Sequence, residues 1–230
     1  MDIVNKIEGI ATNGEKIRSS IKTIFNRDAT IITPCVEPKE FVDEGAEKYF
    51  LYPSRIAEQK RQEYAIEAFK TFNKTSKIKG YKLIIAGGLS KRYTDFEDYY
   101  KKLRAMRVKD VKFVLNPTNN ELKELYSRCT AVLFSAINED LGIVPLEGMA
   151  SSKPVISVNE GGPKETIING KTGFLVNSQE EMARKMKFII EHKGIAEKMG
   201  EEARRRVERH YSWKIFFNKF DAMAKNVARS

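Results

Sequence analysis

Short apolar runs alternate with amphipathic stretches along the chain from residue 49 onward. Six runs are largely unbroken by polar residues, which is typical of strands covered on both faces of a parallel sheet. They lie at 49–52, 82–86, 111–114, 131–134, 154–158 and 173–176. The stretches between them place apolar side chains on one helical face, as at Tyr64, Ala68 and Phe72. The alternation predicts an α/β fold with a single Rossmann-like, doubly wound parallel sheet.

The two ends of the chain depart from this alternation. The first 45 residues predict a helix at 14–25, a short strand at 30–33 and a proline-containing linker at 34–45, with too few apolar residues for a separate domain. The last 20 residues predict a helix with one apolar stripe, formed by Trp213, Phe216, Phe217, Phe220, Met223 and Val227. The stripe packs either on the chain's own sheet and helices or on something outside this domain.

Composition excludes several classes of protein. Two cysteines and two histidines in 230 residues argue against a disulfide framework, a cysteine-based zinc site or a histidine-rich metal centre. The first residues lack the basic and apolar regions of a secretory signal, and no apolar run approaches the ~18 residues of a membrane span. We therefore expect a cytoplasmic protein, with peripheral contact to an anionic membrane left open.

The net charge of +10 suits nucleic acid, an anionic membrane surface or a phosphorylated small molecule. Most basic residues are interleaved with acidic ones, and the one dense run, Arg204 to Arg206, is interpreted as a solvated helix face. Because no motif of aromatic and basic residues accompanies the charge, we predict no nucleic-acid partner.

Ligands of open α/β sheets bind beyond the carboxyl ends of the strands, so the residues that follow each run are the candidates for chemistry. Arg55 and Lys60 follow the first run, as two cations without nearby partners. Such a pair can neutralise a diphosphate without a metal, although surface ion pairing explains the spacing equally well.

The run at 131–134 is followed by two glutamates on either side of a predicted helix start. Backbone amides around Gly142 would face an anion at this helix N-terminus. Glu139 and Glu147 flank the turn, and each carboxylate can accept hydrogen bonds from two vicinal hydroxyls. This arrangement suits a sugar and a ribose on either side of a diphosphate. In the alternative interpretation, Glu147 only caps the helix and Glu139 is solvated.

Glycine pairs follow two other runs, at 87–88 and 161–162. Neither forms a Gly-x-Gly-x-x-Gly fingerprint or a Walker loop, which argues against a standard dinucleotide or ATPase site.

Three segments together, Ser54 to Lys60, Glu139 to Glu147 and Gly161 to Glu165 with the following 169–176, resemble the C-terminal donor-binding domain of the group 1 (family 4) glycosyltransferases. The resemblance runs from about residue 49 to 176, with a looser tail to 223. It implies half of a two-domain GT-B fold and metal-independent transfer of a hexose from a nucleotide-diphosphate sugar, with retention of configuration. The donor would be a UDP-, GDP- or ADP-hexose, with no metal or other cofactor.

The resemblance also implies roles for individual residues. Arg55 and Lys60 would bind the diphosphate and stabilise the leaving nucleotide, and Glu139 would hold the donor sugar, which makes these three the expected catalytic residues. Glu147 would hold the ribose. The full set of expected nucleotide-sugar-binding residues is Arg55, Lys60, Leu115, Asn116, Glu139, Gly142, Ile143, Val144 and Glu147.

Two positions depart from the family pattern. Asp140 stands where the family usually has glycine, and its charge is expected to alter donor choice or weaken phosphate binding. Arg61 stands where a glycine commonly follows the lysine.

The family resemblance divides the chain into three parts. Residues 1–45 would be the end of an N-terminal domain with the interdomain linker, 46–210 the donor-binding domain, and 211–230 a helix that crosses back to the N-terminal domain. A partner would supply the acceptor site, either an N-terminal domain or a separate chain, and we expect the chain alone to be inactive or weakly active. The chain would then be a cut piece, a separately encoded half or a degraded gene product, and its apolar stripe makes self-association plausible.

Two other functions stay open at this point. One is a non-catalytic nucleotide-sugar-binding subunit of a split transferase. The other is a different enzyme on the same architecture, such as a sugar-nucleotide epimerase.

Overall fold

The structure, a computed structural model, describes residues 6–89 and 94–229. Its main sheet has six parallel strands in the order β5-β4-β3-β6-β7-β8, and two short parallel strands, β1 and β2, form a separate pair. The strands are β1 (Ala11–Thr12), β2 (Thr30–Ile31), β3 (Tyr49–Pro53), β4 (Lys82–Gly87), β5 (Val111–Leu115), β6 (Ala131–Phe134), β7 (Val155–Val158) and β8 (Gly173–Val176). The six apolar runs are thus confirmed as the strands of one parallel sheet.

Helices cover both faces of this sheet, as the prediction of a doubly wound fold requires. They are α1 (Glu15–Phe25), α2 (Gln62–Thr75), α3 (Thr94–Ala105), α4 (Asn119–Arg128), α5 (Ile143–Ala150), α6 (Pro163–Thr166), α7 (Gln179–Glu191), α8 (Lys193–His210) and α9 (Trp213–Val227). Successive residues of β3 point to opposite faces. Phe50 packs with Phe69 of α2 in one core cluster, whereas Leu51 packs with Leu146 of α5 and Ala203 of α8 in the other.

The order of the strands reverses between β3 and β6. The chain runs outward from β3 through β4 to β5, and then returns to place β6 on the other side of β3. Helix α2 after β3 packs in one core cluster and helix α5 after β6 packs in the other, so the chain leaves these two strands toward opposite faces of the sheet. Open α/β sheets bind ligands at the carboxyl ends of such a strand pair, and we call this region the crevice.

The ends of the chain form a small layer beside the main domain. Strands β1 and β2 flank α1, in agreement with the predicted helix and strand, although the strand is shorter than predicted. Neither α1 nor α9 contains a buried residue. Met223 and Val227 of α9 lie against Gly9, while Trp213, Phe217 and Phe220 remain exposed. The described part of the chain thus buries no residue of the apolar stripe.

Arg204 and Arg206 do not belong to a solvated face, which corrects the expectation from sequence, whereas Arg205 between them is exposed. The Arg204 guanidinium donates to the carbonyls of Pro38, Phe41 and Ala150 over 2.6–3.0 Å, and so ties the linker to α5. Arg206 donates to the carbonyls of Thr166 and Glu165.

Among the described residues, no helix combines the length and the apolar character needed to cross a membrane.

Candidate functional site

The loops after β3 and β6 meet through an ion pair across the crevice. The Lys60 ammonium lies 2.6 Å from Oε2 of Glu139, and about one fifth of each side chain is exposed. The expectation of two cations without partners is therefore wrong for Lys60. Sequence spacing could not show this contact, because 79 positions separate the two residues.

Backbone hydrogen bonds fix the position of Lys60. It ends a short 3-10 helix at Glu58–Lys60, and the neighbouring Gln59 carbonyl accepts from the Ile137 amide at 3.0 Å. The hydroxyl of Tyr52, which is fully buried in β3, donates to the Lys60 carbonyl. The loop that carries the ammonium is thus held to both strands of the crevice.

Arg55 is the cation that remains without an ion-pair partner among the described residues. Its side chain is exposed, whereas its backbone is anchored. The neighbouring amides of Ser54 and Ile56 donate to carbonyls at the end of β4, and the Gln62 side chain donates to the Arg55 carbonyl at 2.7 Å. The guanidinium is therefore presented to solvent from a rigid loop, as an anion-binding group requires.

Helix α5 begins at the crevice with free backbone donors. Gly142 precedes the helix with φ +85°, a conformation that favours glycine. The amides of Gly142, Ile143 and Val144 donate to no other described residue. Pro145 lies in the first turn, where its missing N–H costs nothing. These amides can bind an anion, as the sequence predicts.

The second glycine pair supports the loop that carries Glu139. The Gly162 amide donates to the Glu139 carbonyl at 2.9 Å, and a Cβ at either Gly161 or Gly162 would collide with the backbone of Glu139 or Leu141. The pair therefore serves close packing of two loops.

Glu147 faces α4 and does not cap its own helix. The Tyr126 hydroxyl donates to its Oε2 at 2.7 Å. Burial raises the pKa of the Glu147 carboxyl, while the Tyr126 hydrogen bond and the charge of Lys123 oppose the rise. Burial also raises the pKa of Tyr126, next to the Glu147 charge. A half-buried carboxylate with one oxygen engaged keeps the other for hydroxyl donors such as those of a ribose.

Leu115 and Asn116 lie at the carboxyl end of β5, the edge strand that pairs with β4. Asn116 has φ +52°, its amide donates to the Gly87 carbonyl at 3.0 Å, and its side-chain oxygen accepts from the Leu89 amide. The side chains of Arg55 and Asn116 both lie next to Gly88. These contacts bring the expected base-binding segment beside the loop of Arg55.

The two departures from the family pattern each form a local ion pair. Arg61 has φ +51°, a conformation that glycine adopts more readily, and its guanidinium lies 3.5 Å from the Glu160 carboxylate. Asp140 lies 3.6 Å from the ammonium of Lys16 in α1, so its negative charge at the crevice is partly balanced.

Two tyrosines of the site were not among the predicted residues. Tyr52 holds the Lys60 loop and bonds Ser135 at 3.0 Å, and Tyr126 holds Glu147. The only signal in the sequence was that a tyrosine inside an apolar pattern needs a partner for its hydroxyl.

No group of three or more His, Cys, Asp or Glu side chains in the described parts of the chain could hold a metal ion.

Comparison with protein families places this geometry in context. A family model described as "Glycosyl transferases group 1" matches residues 36–206, more than half of the chain. The alpha-1,3/1,6-mannosyltransferase ALG2 of Dictyostelium discoideum is 31% identical over 193 residues, which cover 78% of this chain and 46% of that protein. The chain thus spans about half the length of the curated relatives it matches.

Solved structures share the fold at low sequence identity. Anabaena Alr3699/HepE in complex with UDP-glucose has a TM-score of 0.82 and 17% identity, covering 100% of this chain and 66% of that chain. The C-terminal domain of the group 1 glycosyltransferase LpcC from Francisella tularensis has a TM-score of 0.64 and 22% identity, covering 77% and 99%. The predicted fold, the Rossmann-like C-terminal half of a GT-B enzyme, is confirmed.

Proposed function

The chain belongs to the group 1 glycosyltransferases, and on this premise we propose that it is the donor-binding half of a retaining hexosyltransferase. Its donor is a nucleotide-diphosphate hexose, bound without a metal. The observation that carries the proposal is the crevice between β3 and β6, where the Lys60–Glu139 ion pair lies next to Gly142 and the free amides that begin α5. Lys60, Glu139 and the amides of Gly142 and Ile143 lie within the two loops that form it.

Each group matches one part of such a donor. Arg55 and Lys60 balance the diphosphate charge and stabilise the departing nucleotide, with the amides before α5 as further donors to its oxygens. Glu147 accepts hydrogen bonds from the ribose hydroxyls through the oxygen that Tyr126 leaves free. Glu139 accepts from the hydroxyls of the hexose. Leu115 and Asn116 lie beside the base.

The acceptor site belongs to an N-terminal domain or partner chain. The exposed apolar faces of α1 and α9 support this proposal, because Ile24, Phe217 and Phe220 are more than half exposed. Large apolar side chains on helices without any buried residue are typical of a surface that another part of the protein covers. The match to only 46% of the mannosyltransferase is in agreement with this division. The chain alone binds donor and transfers poorly.

A melting experiment with the full chain tests the donor site. We would measure the melting temperature with UDP, GDP, ADP and their glucose and mannose conjugates. A ligand at 100 times its dissociation constant stabilises the fold by about 2.7 kcal/mol, which raises the melting temperature measurably. Arg55→Ala should lower the affinity about tenfold or more, because it removes charged hydrogen bonds to phosphate.

Arg184→Ala, which removes an exposed arginine of α7, is the matched control and should leave the affinity unchanged. The proposal is contradicted if no nucleotide raises the melting temperature, or if Arg55→Ala and Arg184→Ala weaken binding equally.

A further inference from the structure

The ion pair between Lys60 and Glu139 occupies groups that the proposed donor needs separately. Phosphate oxygens need the ammonium, and sugar hydroxyls need the carboxylate. In the structure the two groups bind each other at 2.6 Å. Neither has a second ionic partner among the described residues. Both side chains are mostly buried, so the attraction is screened less than that of a surface pair.

Both partners lie on loops whose backbones are held by hydrogen bonds, so the two loops do not move apart freely. The Lys60 backbone is held by Tyr52, and the preceding residue by Ile137. The Glu139 carbonyl is held by the Gly162 amide. A ligand between the loops therefore competes with the ion pair through side-chain rotation within a fixed frame.

A free nucleoside diphosphate and a complete nucleotide sugar would replace the contacts of the ion pair to different extents. The diphosphate attracts Lys60 and leaves Glu139 unpaired beside new negative charge, which is costly in a partly buried site. A nucleotide sugar attracts Lys60 in the same way, but its hydroxyls donate to the released carboxylate. The sugar thus restores the hydrogen bonds of Glu139 that the phosphate removes.

We propose that the Lys60–Glu139 ion pair determines specificity, because its exchange for phosphate and sugar contacts makes the site prefer a nucleotide sugar over the nucleoside diphosphate. The proposal rests on the proposed function and adds a role for the unliganded pair. The same exchange favours release of the nucleotide product, because the ion pair re-forms once the sugar has left.

Substitution of Glu139 by glutamine separates the affinity for the diphosphate from the preference for the sugar conjugate. Glu139→Gln keeps the shape and removes the charge that holds Lys60. By titration calorimetry on the full chain, the affinities for UDP, GDP, ADP and inorganic pyrophosphate should rise about three- to tenfold. The preference for the glucose or mannose conjugate over the bare nucleotide should fall about tenfold. In a Lys60→Met background, Glu139→Gln should raise the diphosphate affinity by a smaller factor, because only the repulsion between carboxylate and phosphate is then relieved.

Glu160→Gln is the matched control, because it removes a carboxylate that is paired with Arg61 on an adjacent loop. It lowers the local negative charge equally and should not change the preference for the sugar conjugate. Melting temperatures of all variants verify that they are folded.

The outcomes distinguish this proposal from the proposed function. If Arg55→Ala weakens nucleotide binding while Glu139→Gln does not strengthen it, the exchange is wrong and the donor site stands. Equal gains from Glu139→Gln and Glu160→Gln indicate a general charge effect and also overturn the exchange. If neither the unaltered chain nor Glu139→Gln binds any nucleotide or pyrophosphate, both proposals fail.

Discussion

The six-stranded domain and the two ends of the chain bury their apolar side chains to very different degrees. Phe50, Leu51 and Tyr52 of the central strand are completely buried, and both faces of the sheet are covered by the domain's own helices. Helices α1 and α9 are also amphipathic, yet they bury no residue. The difference shows that the domain's core is closed by its own helices together with Val36 and Phe41 of the linker, whereas Phe217 and Phe220 of α9 stay exposed in the described chain.

The contrast also separates two kinds of sequence pattern. Unbroken apolar runs form strands that helices of the same chain cover. All of these runs fall inside the part that matches the family, residues 36–206. The stripe on α9 lies outside that part and has ordinary helical spacing. Periodicity therefore predicts the helix but does not say which surface covers it.

The largest expected effect is the loss of stability when a ring is removed from the core. Phe50→Ala removes a fully buried ring that lies 5.6–5.8 Å from the rings of Tyr81 and Phe72, and should lower the free energy of unfolding by about 3–5 kcal/mol. Phe220→Ala on α9 removes a ring that is 52% exposed and should change it by no more than about 0.5 kcal/mol. Urea unfolding of both variants measures the difference.

If Phe50→Ala does not fold, the milder Phe50→Leu should also lower the free energy of unfolding. Similar losses at the two positions would mean that α9 is part of the cooperative core, against the contrast drawn above.

A second prediction concerns the hydrogen bonds by which Arg204 holds the linker to the domain. Arg204→Ala removes charged hydrogen bonds to three backbone carbonyls and should destabilise the fold by about 2–3 kcal/mol. Among the described residues, the adjacent Arg205 pairs with Glu201 and Glu202 at the surface, so Arg205→Ala should cost no more than about 0.5 kcal/mol.

Chemical denaturation of both arginine variants is the measurement. Equal effects would restore the interpretation of the run as a uniform, solvated face.

These arginines show where prediction from sequence succeeds and where it stops. The strands, their parallel arrangement and the helix start at Pro145 follow from local patterns, because burial on two faces and a first-turn proline leave signals within a few residues. The backbone carbonyls that bind Arg204 lie 54 to 166 positions away, and no local pattern encodes them.

The same limit applies to the candidate site. Positions after strands predict Arg55 and Glu147 as site residues, and the structure shows how each is anchored, Arg55 by the Gln62 side chain and Glu147 by the Tyr126 hydroxyl. The partnership of Lys60 with Glu139 depends on the order of strands in the sheet, which places β6 directly beside β3. Tyr126 was overlooked for a related reason, since its hydroxyl meets Glu147 only after α4 and α5 pack on the same face.

The smallest expected effect concerns the contact that joins the two regions. Lys16 of α1 lies 3.6 Å from Asp140, and the Glu15 amide donates to the Glu165 carboxylate at 3.2 Å. The N-terminal layer thus meets the loop after β6 and helix α6. Because Asp140 precedes the free amides of α5 closely, Lys16 offsets a charge that would repel a diphosphate.

We expect Lys16→Ala to weaken the binding of a nucleoside diphosphate about two- to fivefold, the range of an exposed ion pair. Asp140→Asn should strengthen it by a similar factor, and the double variant should match Asp140→Asn alone, because Lys16 acts only through that carboxylate. Calorimetry at low and at physiological salt measures both effects, and salt should reduce them. Lys22→Ala, further along α1, is the control for general loss of positive charge. If Lys16→Ala weakens binding even in the Asp140→Asn background, Lys16 contacts the ligand directly, and the N-terminal layer is then part of the donor site.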